Sequence, residues 1–344
     1  MKLAFPNIVA NRALCERIRD ELLSKTLSHA YIIEGAAGSG KHTLAFQIAA
    51  ALACEKKDAD GIPLPCGSCP SCRKILGGFS TDVIVKGRED KATIGVDVIR
   101  DVRTDVYIPP NDNEHKVYLI EDAHLMTQQA QNAFLLTLEE PPPYVVFLLL
   151  CQSASPLLET VRSRAATLRT EPVSTEQIDA YLCHVNPEAS ALKASDCKEY
   201  SEVLAAANGC IGQAISLLDA KRRKPIITHR RTAREFVSLC AARKSSTATM
   251  RFLNGLPQKR DELSEQLSVV LVCLRDLLLC KQTDAAPLCF FADREEACAL
   301  AYDFTTPTLL TLCEQITQAL DQLQRNANVR LVITTLATHT GLLS

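Results

Sequence analysis

The stretch that most constrains this chain runs from residue 31 to residue 54. Tyr31-Ile32-Ile33-Glu34 is an apolar run of strand length, Gly35-Ala36-Ala37-Gly38-Ser39-Gly40-Lys41-His42-Thr43 is a glycine-rich turn, and Leu44 to Cys54 reads as an amphipathic helix. Strand, turn and helix in that order build a phosphate cradle. The glycines let the backbone turn tightly enough for successive N–H groups to converge on an anion at a helix N-terminus. Lys41 adds a point charge for β- and γ-phosphates, and Gly35 to Lys41 satisfies the G-x-x-x-x-G-K pattern of a phosphate-binding loop. That pattern continues with Ser or Thr, whose hydroxyl ligates magnesium. Here His42 stands there and the hydroxyl comes one place late, at Thr43. Magnesium takes hard oxygen ligands in near-octahedral geometry, which an imidazole does not supply. The residues therefore predict a cradle (Gly35, Gly38, Gly40, Lys41, Thr43) without an ordinary ATP/Mg2+ ligand set.

A second stretch fits the first. Lys116 to Ile120 reads as a strand that ends in Glu121-Asp122. A strand ending in two carboxylates is the expected second half of a nucleotide site. The first acid holds magnesium and the second polarises the attacking water in hydrolysing enzymes. Their usual order is Asp then Glu, and here it is inverted. Each exchange moves a carboxylate by about one methylene, and a misplacement of about 1 Å can cost about a hundredfold in rate.

Around these motifs, residues 1–30 read as mostly helical, with Leu14, Ile18, Leu22 and Leu23 roughly on one face. Strands are predicted at Asp82–Val85 and Tyr144–Leu150, and helices at about 96–106 and 128–138. Strands alternating with helices, the strands apolar throughout, argue for a parallel sheet covered on both faces. After about Thr167 the strands are expected to cease. Residues 174–220 read as short helices with a turn at Asn208-Gly209, Lys221-Arg222-Arg223-Lys224-Pro225 as a linker, and the rest as a helical bundle. Its apolar stripes are Leu267, Val270, Leu271, Leu274, Leu277 and Leu278, and then Leu309, Leu312, Ile316, Leu320 and Leu323.

Cys66, Cys69 and Cys72 form C-x-x-C-x-x-C, with Cys54 twelve residues before the first. Four thiolates suit tetrahedral zinc, and a closed set of four leaves no position for a catalytic water, so the expected role is structural. The 15 cysteines of this 344-residue chain fit the cytosol better than export. A net charge of -2 gives no global attraction to nucleic acid or anionic membrane. No N-terminal run reads as a signal peptide and no apolar run reaches the roughly 18 residues of a spanning helix, so a cytoplasmic chain without membrane contact is expected.

Several segments together resemble one family. They are Phe5 to Arg12, His29-Ala30-Tyr31 before the glycine turn, the four-cysteine insertion with Ser71-Cys72-Arg73, Lys116 to Ala123, Asn132 to Leu135 with Leu138-Glu139-Glu140-Pro141-Pro142, and Thr160-Val161-Arg162-Ser163-Arg164. Weaker matches follow at Asn208 to Ala214, Leu274-Arg275-Asp276-Leu277 and Asn326-Ala327-Asn328. The chain resembles the bacterial clamp-loader subunits of DNA polymerase III, of the gamma/tau and delta-prime kind. The resemblance implies a RecA-like α/β AAA+ domain with a zinc module (1–168, insertion 54–72), a small helical lid (169–222) and a helical collar domain (225–344). It also implies a hetero-pentameric ring with gamma/tau and delta subunits, acting on the sliding clamp and primer-template DNA. In that family gamma and tau hydrolyse ATP, whereas the delta-prime type commonly has a degraded site, acts as a stator and lends an arginine to a neighbour's ATP. Ser163-Arg164 matches the family's Ser-Arg-Cys motif, with Ala165 in place of the cysteine, so Arg164 is implied as the arginine finger. Gly212 stands where gamma-type chains carry a nucleotide-sensing arginine. The departures at His42, Glu121-Asp122 and Gly212 favour the stator, and an active gamma/tau-like ATPase is the alternative.

Overall fold

The computed structural model describes residues 5, 8–24, 26–56, 65–88, 91–242, 247–283 and 288–340. The chain divides into two compact units, one of residues 1–177 with 210–212, the other of residues 178–209 with 213–344.

The first unit is a parallel sheet with helices. In chain order its elements are α1 (Arg12–Leu23), β1 (Ala30–Glu34), α2 (Lys41–Ala53), α3 (Pro70–Leu76), β2 (Val83–Lys86), α4 (Val96–Asp105), β3 (Lys116–Ile120), α5 (Gln128–Glu139), β4 (Val145–Cys151), α6 (Glu159–Arg162) and β5 (Ala166–Arg169). The sheet order is β2-β3-β4-β1-β5, with every pairing parallel. β3 and β4 are buried along their whole length, β4 with an unbroken apolar sequence and β3 with Lys116, paired with Asp105, before its apolar residues. One core layer packs Tyr31, Ile33, Leu119 and Leu148 under α1, α2 and α3; the other packs Ile32, Tyr118, Phe147 and Leu149 against Ile99, Val102 and Phe134 of α4 and α5. Alternate residues of one strand thus serve opposite faces.

Two expectations are corrected here. The strands end at Arg169, near the expected place, but include a fifth that is not among those expected: Ala166–Arg169 is β5, and it pairs with β1 from Tyr31↔Ala166 to Glu34↔Arg169. It is a half-exposed edge strand, so its sequence lacks the apolar run that marks buried strands. Nor is α2 amphipathic. Leu44, Ala45, Gln47, Ile48, Ala49, Ala50 and Ala51 are all buried, leaving mainly His42 and Thr43 exposed in its first turn.

The helices that follow are α7 (Thr175–Val185), α8 (Pro187–Ser195), α9 (Cys197–Ala206), α10 (Ile211–Leu218), α11 (Ala220–Ala242), α12 (Thr247–Gly255), α13 (Arg260–Gln282), α14 (Arg294–Tyr302), α15 (Thr306–Gln324) and α16 (Val329–His339). Asn208 and Gly209 both take positive φ, 49° and 75°, as the predicted turn between α9 and α10 requires. The run from Lys221 to Pro225 is not a linker. It lies inside α11, where Arg223 is buried, pairs with Glu199 at 2.7 Å and donates from Nη1 to the carbonyls of Leu217 (3.2 Å) and Leu218 (2.7 Å). Those carbonyls end α10, so a basic side chain satisfies groups that would otherwise be orphaned at a helix C-terminus.

The apolar stripes meet as expected, Leu267, Val270, Leu274 and Leu277 of α13 in one core with Leu309, Leu312, Ile316 and Leu323 of α15. A polar knot locks this core. Asp276, fully buried, accepts the backbone N–H of Cys289 (2.8 Å), Phe290 (2.6 Å) and Phe291 (3.3 Å). Arg230 of α11 donates to the carbonyls of Cys289 and Phe290 and lies 4.7 Å over the Phe290 ring. Burial, aided by Arg234, lowers the Arg230 pKa to about 10. Asp276→Ala would strand those N–H groups at about 1–3 kcal/mol each, so urea denaturation should show a loss of about 3 kcal/mol or more. A loss under about 1 kcal/mol, the lower bound for a single stranded donor, would mean that the carboxylate does not hold this segment.

Among the described residues, no helix is long and apolar enough to cross a membrane.

Candidate nucleotide and metal sites

β1 lies between β4 and β5 and delivers the glycine turn at the C-terminal end of the sheet, where open parallel sheets bind ligands. Gly35 is held by its N–H to Cys151 O at 3.1 Å, and a Cβ there would lie 1.8 Å from Thr170 Oγ1, so only glycine fits against β5's exit. Gly40, at φ 89°, turns the chain into α2 and caps it without a side-chain acceptor for the helix's first N–H groups. Those donors are what a phosphate would engage. Lys41 is buried, and its Nζ donates to Gly35 O and Ala36 O, both at 2.7 Å. Burial lowers its pKa, against the opposing pull of Cys151, Cys210 and Asp122.

The residues of the would-be magnesium site come together, but in contact with one another or with a cation. His42 Nδ1 lies 3.3 Å from Glu121 Oε1. Asp122, at φ 50°, lies 3.5 Å from Arg88 Nε. Thr43 is exposed in the first turn of α2. An imidazole against the first carboxylate and a guanidinium against the second do not form the oxygen set that magnesium takes, so this donor set does not fit the ion. Arg88 belongs to no motif, and nothing in the sequence marks it as Asp122's partner. The Gly212 N–H donates to Gly38 O at 2.9 Å, and a Cβ at Gly212 would come within 3.1 Å of Gly38 Cα. The backbone of the loop and that of residue 212 are therefore in direct contact.

Arg164 follows α6. Its Nη1 donates to Thr160 O at 2.9 Å and lies 3.5 Å from Ser163 Oγ, and its Nη2 pairs with Glu139 Oε1 at 2.7 Å. The side chain is 35% exposed. The loop leading into α6 is tied to α5 by Gln131, which accepts from Leu158 N at 2.7 Å and donates to the carbonyls of Met126 (3.1 Å) and Pro156 (3.3 Å).

The four predicted metal ligands gather as well. The sulfurs of Cys54, Cys66, Cys69 and Cys72 all lie within 4.8 Å of one another, with Cys66 and Cys72 at 4.0 Å. A tetrahedron of Zn–S bonds of about 2.3 Å has sulfurs about 3.8 Å apart, so the cluster fits zinc with a small contraction. Cys54 caps α2, and Cys69 begins α3 with its side chain accepting the Cys72 N–H at 3.4 Å. The Cys69 N–H points at Cys66 Sγ at 3.3 Å. The Ser68 hydroxyl, with the Ser68 and Cys69 N–H groups, holds the Cys66 thiol down at about 5, while burial pushes Cys54 and Cys72 up. Residues 57–64 of the insertion lie outside the described residues.

A family model described as "DNA polymerase III, delta subunit" matches residues 10–174. DNA polymerase III subunit tau of Bacillus subtilis (strain 168) is 32% identical over 215 residues, 62% of this chain and 37% of its own length. Subunit gamma of Buchnera aphidicola (subsp. Schizaphis graminum) is 31% identical over 223 residues, covering 63% and 58% respectively. Subunit delta' of Yersinia pestis is 34% identical over 137 residues, covering 40% and 39%. The chain thus spans less than two thirds of each relative. The matched region holds the glycine turn, the Glu121-Asp122 strand end, the cysteine cluster and Ser163-Arg164. Residues 10–174 are thus similar to the DNA polymerase III delta-subunit model, and the same region is similar to tau, gamma and delta' subunits of DNA polymerase III.

Proposed function

We propose that this chain is a delta-prime-type subunit of a DNA polymerase III clamp loader, a stator that does not turn over ATP itself and lends Arg164 to the ATP of a neighbouring subunit. The observation that carries the reading is the 3.3 Å contact between His42 and Glu121, which sets an imidazole where a hydrolysing site holds its metal. Gly212 supports it: an arginine in that place would press its Cβ against the backbone of Gly38. Arg164, half-exposed beside the sheet, supplies the function that remains once self-hydrolysis is lost.

In this reading the sheet domain, which β5 closes at Arg169, a helical lid and a helical collar belong to one AAA+ subunit, and α11 (Ala220–Ala242) carries the chain without a break past the 222–225 boundary expected between lid and collar. Its partners are gamma/tau and delta subunits in a hetero-pentameric ring that loads the sliding clamp on primer-template DNA in the cytoplasm. Zinc, held by Cys54, Cys66, Cys69 and Cys72, supplies a structural cross-link between the end of α2 and the start of α3. The competing reading is an active gamma/tau-like ATPase. The two separate on ATP turnover by the purified chain with magnesium. The stator predicts no turnover above background. Steady turnover that Lys41→Ala abolishes would overturn it and make the chain a loader ATPase.

A further inference from the structure

Arg164 is not left to find its target from many rotamers. Its guanidinium offers five N–H donors, and among the described residues three acceptors engage them: Thr160 O at 2.9 Å, Ser163 Oγ at 3.5 Å and Glu139 Oε1 at 2.7 Å. All three bind the Nη groups, and none of them takes Nε–H. Two of the three acceptors are local, within four residues of Arg164, and they hold the Nη1 side. Glu139 alone comes from another element, the last residue of α5, and it alone bears a charge and holds Nη2. Gln131, eight residues earlier on the same helix, fixes the loop that precedes α6, so the helix that supplies Glu139 also fixes the ground on which Arg164 stands.

We infer that Glu139 is a positioning residue for the arginine finger. This rests on the reading of Arg164 given above. A free arginine side chain carries considerable rotamer entropy. Fixing the guanidinium before the subunits meet removes that loss from the step in which charge develops on the transferring phosphoryl group. Holding only part of the fork leaves Nε–H for a phosphate oxygen. Orientation of this kind acts on the rate of the chemical step and not on nucleotide affinity at the neighbour's site.

The test uses the full chain assembled with its gamma/tau-type partner, measuring kcat and the KM for ATP, with thermal unfolding of each variant as a control. Glu139→Ala should lower the stimulated kcat about fivefold with KM within twofold and Tm unchanged. Glu139→Gln keeps an acceptor oxygen in the same place and should recover to within twofold of the parent. A Glu139→Ala rate within twofold of the parent, while Arg164→Ala abolishes stimulation, would overturn the role of Glu139 alone. So would a rate above the parent, which would make the pair a brake. Full stimulation by Arg164→Ala would overturn the finger itself, and with it this inference.

Discussion

Replacing Arg164 with alanine is expected to lower ATP turnover at the neighbouring subunit's site by about 10³-fold or more, the range for arginine fingers acting in trans being about 10³–10⁵. That corresponds to about 4–7 kcal/mol of barrier. The size follows from chemistry. The transferring phosphoryl group spreads negative charge over its equatorial oxygens, and a guanidinium meets it with fixed, planar donors in a site from which water is excluded. Lysine is a poor replacement, since an ammonium brings the charge without the fork, so Arg164→Lys should fall between alanine and the parent. Assembly must be measured beside turnover, by size-exclusion chromatography of the mixed subunits. The reading requires that the Arg164→Ala complex forms normally and turns over slowly. If it forms normally and turns over at the parental rate, Arg164 is a surface arginine paired with Glu139 and nothing more.

Loss of the metal is expected to be the largest change in stability. Cys72 is fully buried, shares its core with Ile75, Ala50 and Ala51, and directs its thiol at Ala50 O, 3.8 Å away. The cluster ties the end of α2, which begins at the phosphate cradle, to α3. Cys72→Ser, or chelation of the parent, should release about one equivalent of zinc. The expected fall in Tm is about 10 °C, or roughly 3–5 kcal/mol for a unit of this size. That is less than the about 10–16 kcal/mol of isolated zinc-finger peptides, because the apolar core beneath α2 holds without the ion. Metal content below about half an equivalent in reduced, chelator-free parent protein would rule out the zinc assignment. A Tm that does not move once chelation has released the metal would mean that the ion has no structural weight.

Much of the first unit is legible in the sequence because its signals are local. The span Lys116 to Ile120 is a strand with the predicted bounds, and the helix expected at 128–138 is α5 to within one residue. Three of the four cysteines are legible for the same reason, two-residue spacers putting Cys66, Cys69 and Cys72 close together, whereas Cys54 joins them only because α2 ends beside α3. β5 escapes detection because Ala166-Thr167-Leu168-Arg169 is polar enough to read as coil, and becomes a strand only by pairing with β1. The basic run at 221–224 reads as a linker because charge and a proline mark one. Arg223 is instead drawn inside by the last carbonyls of α10, five and six residues before it, and by Glu199, whose place 24 residues back gives no local sign of the pairing.

The nucleotide site divides in the same way. The residue types at 42, 121 and 122 by themselves carry the expectation of an altered magnesium site, since an imidazole replaces a hydroxyl and the two carboxylates exchange places. What stands there instead was decided by the sheet. The parallel order β3-β4-β1 puts the C-terminal ends of β1 and β3 at the same edge of the sheet, two strands apart, and His42 at the start of α2 meets Glu121 across that gap. Arg164 can be named from its short motif, but its partner Glu139 cannot, because α5 and α6 meet only across packed side chains. Sequence alone determined the loops, the ligand spacings and the parallel strands, all properties of a few consecutive residues. Which charged groups face each other was decided only by the tertiary structure, because the energy of an ion pair depends on distance in space and not on separation along the chain.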